Sequence, residues 1–186
     1  MDFSADYPDS TFDPAEYIVT AKLKVHKEAS LLDKNSITAS GRNVIKEGVC
    51  IHSDLGAVII AQDTVFEKDV RITPSTNYIN EKGQITPREK PFISIGQNVI
   101  IQHSSSIRAL RIGDNVLIGA HCVLGEGCVI MDNCVLDDNT EIPPYSIVAP
   151  FSHMGGAPGV LVDELPFSFS IECSRYCREA FDHFVP

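Results

Sequence analysis

Ile112-Gly113-Asp114-Asn115-Val116-Leu117-Ile118-Gly119-Ala120-His121-Cys122-Val123-Leu124-Gly125 opens a stretch, running to Ser152, in which the chain repeats itself every six residues. Ile112, Ile118, Leu124, Ile130, Leu136, Ile142 and Val148 form one column of the pattern. Four residues after each stands a small or β-branched residue: Val116, Cys122, Cys128, Cys134, Thr140, Ser146 and Ser152. Gly follows the aliphatic directly at Gly113, Gly119 and Gly125. Side chains alternate in a strand and recur about every 3.6 residues in a helix, and neither rhythm gives a hit at every sixth position in this register.

The period extends upstream. Ile95, Ile101 and Ile107 keep it, and the spacing drops by one residue before Ile112. Ile60, Phe66 and Ile72 form an earlier run, and Val25, Leu31 and Ile37 the earliest, with Ile45 and Ile51 following after an insertion. This predicts an all-β chain whose residues 17–153 form a parallel β-helix of hexapeptide repeats. Each hexad makes a short strand and a turn, and its aliphatic residue points into a narrow interior, stacked on the equivalent residue of the next coil. Corner positions call for Gly or small side chains, because large ones would clash or require φ > 0. Between Thr73 and about Pro91 the rhythm fails amid Pro74, Gly83, Pro87 and Pro91, which predicts an excursion loop leaving one corner. Residues 154–186 form a C-terminal extension. Within it a helix is expected over about 170–183, with Ile171, Tyr176 and Ala180 on one face, packed along the solenoid or against another subunit.

The chain of 186 residues suits one domain with short appendages. Its net charge of −10 argues against a nucleic-acid partner, which needs a basic face. Residues 1–16 hold Asp2, Asp6, Asp9, Asp13 and Glu16 with no Lys or Arg, an acidic N-terminal arm. No basic segment followed by an apolar one opens the chain, and no apolar run approaches the ~18 residues of a spanning helix. The expectation is a soluble cytoplasmic protein with no direct membrane insertion. Cys122, Cys128 and Cys134 read as compact apolar fillers of the small-residue column, and Cys50 lies at a strand end in a similar setting. Cys173 and Cys177, one helical turn apart with His183 nearby, fall short of the four ligands that structural zinc takes.

Chemistry on such a scaffold would fall to His103 and His121, the histidines of the clean repeat region. The pattern is similar to that of hexapeptide acyltransferases, which would imply a His general base at a cleft between protomers of a homotrimer. More broadly, the resemblance to hexapeptide-repeat proteins implies a left-handed coil of three hexads, with Ile112, Ile130 and Val148 in one stack.

The chain also resembles the γ-type carbonic anhydrases, whose three histidines hold a zinc that turns bound water into hydroxide. His52-Ser53-Asp54 stands where that family has Arg-Gly-Asp, Ile60-Ala61-Gln62-Asp63-Thr64 begins its second motif, and Ile95 through His103 matches its third. By that resemblance the ligand positions fall on Thr73, His103 and Arg108, so one ligand survives and a cation takes another place. The expectation is no metal, no cofactor and no catalytic residue.

A γ-carbonic-anhydrase-like solenoid without its ligands resembles the dynactin subunit 5 family, the 25-kDa class of pointed-end subunits. Glu16-Tyr17-Ile18 with Thr20 and Ala21, Cys50 through Val58, Leu136-Asp137-Asp138-Asn139-Thr140 through Pro143-Pro144, and Val148-Ala149-Pro150-Phe151 through Glu164-Leu165-Pro166 carry the likeness. It implies a non-catalytic subunit that pairs with dynactin subunit 6. It also implies contact with the actin-related protein at the filament end, and a part in engaging dynein adaptors or endosomal cargo for microtubule-based transport. Arg71, Arg88, Arg108 and Arg111 gather in sequence around the altered metal positions and are the candidate partner-binding residues.

Overall fold

A computed structural model describes residues 13, 15–20 and 23–182. Most of the acidic arm, and His183, lie outside these. The described chain winds into the expected solenoid of short parallel strands, whose three faces meet at corners to make a triangular prism. The first face has nine strands, the second six and the third six along its main path, with a seventh paired off that path. Each coil visits the faces in turn, as Val116–Ile118, Val123–Leu124 and Val129–Ile130 do in one of them.

The aliphatic column is the interior. Ile95 stands opposite Ile112, Ile112 opposite Ile130, and Ile130 opposite Val148 on the third face. Ile45, Phe66 and Ile101 stack in the same way on the first. These side chains, with Val116, Cys122, Cys128 and Cys134, join one apolar cluster sealed from solvent. Burial pushes the thiols of Cys122 and Cys134 up to about 11 and that of Cys128 to about 12. The thiolate is the reactive form. A thiol reagent at neutral pH is therefore expected to label the half-buried Cys50 and spare these three until the chain unfolds, as mass spectrometry of labelled protein would show.

The corners separate two demands that the sequence merges. Left-handed backbone falls to Asp63, Asn98, Asn115, Asn133 and Phe151 at one corner and to Asp69, Ser104, His121 and Asn139 at the next, with φ between 53° and 60°. Asn and Asp tolerate this region better than other non-glycine residues, and the Asn98, Asn115 and Asn133 amides also form a hydrogen-bonded ladder. Gly113 and Gly119 answer to a different constraint. A Cβ there would lie 2.2 Å from Asp132 Oδ1 and 2.5 Å from Asp138 Oδ1, carboxylates of the next coil. Those carboxylates accept from the amides of Asp114 and Ala120, so the glycines make room for a ladder that ties coil to coil.

The excursion is a β-hairpin rather than a loop. Ser75–Ile79 pairs antiparallel with Ile85–Ile95, an 11-residue strand that runs on into the third face. Its turn is built by Asn80, whose side-chain oxygen accepts from the amides of Lys82 and Gln84, and by Gly83 at φ 74°. The prolines that obscured it are edge-compatible: Pro87 and Pro91 sit in the strand where it leaves the prism.

The helix runs from Phe169 to Asp182 and lies on the outer side of the first face. Phe169, Cys173, Cys177 and Phe181, spaced by four, meet Val44, Val65, Ile100 and Val135 there. Tyr176 and Ala180 pack partly on this cluster, but Ile171, expected on the same face, points away and is 74% exposed. The two cysteines thus lie in the helix's apolar seam. Burial and the neighbouring Cys173 push the Cys177 thiol far above its ordinary range, the contact with Cys173 contributing most.

Candidate functional site

The carbonic-anhydrase-like positions occupy two different corners. Thr73 and Arg108 each follow a second-face strand, Arg71–Ile72 and Ser106–Ile107, which pair in register, so they stack one coil apart where the second face turns to the third. His103 follows the first-face strand Val99–Ile101 and stands where the first face turns to the second. Within one chain the three are not brought together. Among the described residues no group of three or more His, Cys, Asp or Glu side chains is placed to hold a metal ion.

Arg108 has a structural assignment. Its guanidinium lies 3.5 Å from Glu126, and Oε1 of Glu126 accepts from the Thr76 amide, the Thr76 hydroxyl and the Asn77 side-chain amide. Glu126 therefore anchors the hairpin base to a later coil. Burial pushes its carboxyl up, but the Thr76 and Asn77 donors and Arg108 outweigh that, and the net shift is downward. A depressed carboxyl stabilises the fold fully above the ordinary carboxylate range and loses that contribution as pH falls through its lowered value. Glu126→Ala is expected to cost about 1–3 kcal/mol and to speed amide exchange over residues 75–92, measurable by hydrogen-exchange mass spectrometry.

The other candidate arginines surround the same edge of the prism. Arg71 projects from the second face beside Cys50 and Ser106, with no ion-pair partner among the described residues. Arg111 projects from the third face and lies 3.5 Å from Asp132. Arg88 sits in the hairpin, its guanidinium over the rings of Tyr78 and Phe92 at 5.1 and 5.3 Å, and its buried Nε has no hydrogen-bond partner among the described residues.

The histidines do pair, though not as a base and its orienting group. His103 and His121 lie on adjacent coils with ring centroids 5.0 Å apart, edge to face. A general base needs a group that fixes its orientation and holds the proton balance, and among the described residues neither ring has a carboxylate partner. The residues that sequence reading missed are carboxylate partners: Glu126, Asp137, which lies 2.7 Å from His153, and Glu67 beside the buried Lys46. Each partner comes from another coil, so no short motif announces it.

The prism, its stacked hexads and its hairpin define the chain as a hexapeptide-repeat solenoid protein. A solved structure of a point mutant of AntD, an N-acyltransferase from Bacillus cereus, has a TM-score of 0.66 at 12% identity, covering 86% of this chain and 89% of that one. Another AntD structure, in complex with dTDP and 3-hydroxybutyryl-CoA, gives 0.63 at 13%, covering 86% and 88%. Likeness at that identity is likeness of fold. The family model for dynactin subunit 5 matches residues 6–186. Dynactin subunit 5 of Dictyostelium discoideum is 36% identical over 176 residues, 94% of this chain and 86% of that protein. The chain belongs to the dynactin subunit 5 family.

Proposed function

We propose that the protein is a non-catalytic structural and adaptor subunit of the dynactin pointed-end complex. In this reading it pairs with dynactin subunit 6, contacts the actin-related protein at the filament end, and helps dynein-dynactin engage adaptors or endosomal cargo in the cytoplasm. The observation that carries the reading is family membership over nearly the whole chain. The geometry supports it: the position where a ligand would stand holds Arg108, committed to Glu126 and the hairpin anchor. A guanidinium stays protonated and cannot ligate a dication. Among the described residues no helix is long and apolar enough to cross a membrane.

The test is co-expression with subunit 6, followed by light scattering and metal analysis of the product. A stoichiometric pair without zinc is expected. A homotrimer that carries zinc or acylates an amine would overturn the proposal.

A further inference from the structure

The last strand of the first face, Val160–Glu164, pairs with Ser152–Gly155 on one side and has no strand on the other among the described residues. All five of its residues are exposed, and Val160, Leu161 and Val162 are more than half exposed. Ile147, on the last strand of the third face, and Phe167, just beyond, are exposed as well, at 69% and 85%. Edges are ordinarily protected by Lys, Pro, inward charges or β-bulges; the apolar part of this one carries no Lys or Pro, and its one irregularity is a register shift at Val162, between the residues opposite His153 and Met154. The second face does not share the feature. There the edge at Glu141–Ile142 is capped, because Glu141 exchanges backbone hydrogen bonds with Gly156 and Gly159.

Charge says what could cover the open strand. From Ile112 through Ser174 the sequence contains no Lys and no Arg, so apart from His121 and His153 the later coils carry only acidic groups. Arg108 and Arg111 reach forward to Glu126 and Asp132, and His153 holds Asp137. Glu141, Asp163 and Glu164 lie beyond them, exposed, with no cation beside them among the described residues. A second copy would bring the same carboxylates against these.

We infer that Val160–Glu164 is a strand-addition site for an extended, basic segment of a partner protein. The backbone edge supplies the pairing, Val160, Leu161 and Val162 take apolar side chains of the segment, and Asp163, Glu164 and Glu141 take flanking Lys or Arg. The inference holds whichever dynactin component supplies the segment, so it can fail without the proposed pairing failing.

The test uses the full chain and three fluorescent octapeptides. One alternates Val and Lys, the second is the same peptide N-methylated at alternate residues, and the third replaces Lys by Glu. Fluorescence anisotropy is expected to show saturable binding of the first at physiological salt, and at least about tenfold weaker binding of the others, a difference of about 1.4 kcal/mol. V160K/V162K, which alters exposed positions and is expected to keep its circular dichroism spectrum and Tm, should weaken the first peptide equally. Four results would each overturn the inference. They are no binding, equal binding of the N-methylated peptide (adsorption by charge alone), equal binding to the double variant, and a dimer of the free chain abolished by V160K/V162K.

Discussion

Phe66→Ala is expected to cost about 3–5 kcal/mol, the range for removing a buried aromatic ring, and to lower Tm by about 10 °C in a chain of this size. Phe66 is fully buried on the first face, between Ile45 of the preceding coil and Ile101 of the next. The interior of a prism is narrow and its layers are set by the backbone ladder, so neighbouring coils cannot close over the gap without breaking their own pairing. Phe66→Leu, which keeps most of the volume, is expected to cost less than about 1.5 kcal/mol. Ile147→Ala is the internal control. It removes a large aliphatic from the same repeat, but from an outward position 69% exposed, and should change stability by no more than about 0.5 kcal/mol. Thermal and urea unfolding of the three variants check the ordering. Equal losses at Phe66 and Ile147 would mean that the assignment of inward and outward positions is wrong.

That inward column is what the sequence states most clearly. A six-residue aliphatic rhythm has one physical cause, a strand-and-turn unit stacked on itself, and Ile95, Ile101, Ile112, Ile118 and Ile130 all arrive where it puts them. Two kinds of feature were harder to read. The hairpin was hidden because Ser75-Thr76-Asn77 carries no apolar alternation and its stability is borrowed from Glu126, some fifty residues later. The helix face was misjudged at Ile171 because hydrophobicity alone does not separate a buried Cys173 from an exposed Ile171. What decides is the surface beneath, where Val44, Val65 and Ile100 form the docking ground.

The candidate site was legible in identity but not in arrangement. Thr73, His103 and Arg108 could be set against a known motif, yet which corner each occupies depends on coil lengths, and those vary. Ile95 and Ile112 are one coil apart, as are Ile112 and Ile130, although the first coil is a residue shorter. The shortening falls between Ile107 and Ile112, at the same corner from which the preceding coil sends out the hairpin. Insertion and deletion there are two halves of one accommodation, and Arg108 with Glu126 occupies the space between them.

Lys46→Ala is expected to be as damaging as the loss of Phe66, although a lysine after Ile45 reads in the sequence as a solvated corner charge. Lys46 and Glu67 follow Ile45 and Phe66, which stand opposite each other, so they stack one coil apart at the corner of the first and second faces. Nζ of Lys46 lies 2.7 Å from both carboxylate oxygens of Glu67, with the lysine side chain only 2% exposed. Burial draws the Lys46 ammonium below its ordinary range, and the Glu67 carboxylate opposes that shift. Tyr17 and Tyr176 share the surroundings, and burial, with the Glu67 charge next, pushes the Tyr17 hydroxyl up to about 12. Removing one member of a buried pair strands the other, at about 3–5 kcal/mol, whereas replacing both with apolar residues of similar volume is often neutral or stabilising. Lys46→Ala should therefore lower Tm by about 10 °C, and Lys46→Met/Glu67→Leu should recover most of it. A single variant within about 0.5 kcal/mol of the parent would show the pair to be solvated. A double variant as unstable as the single would show that the ion pair itself, beyond the filling of space, holds this corner together.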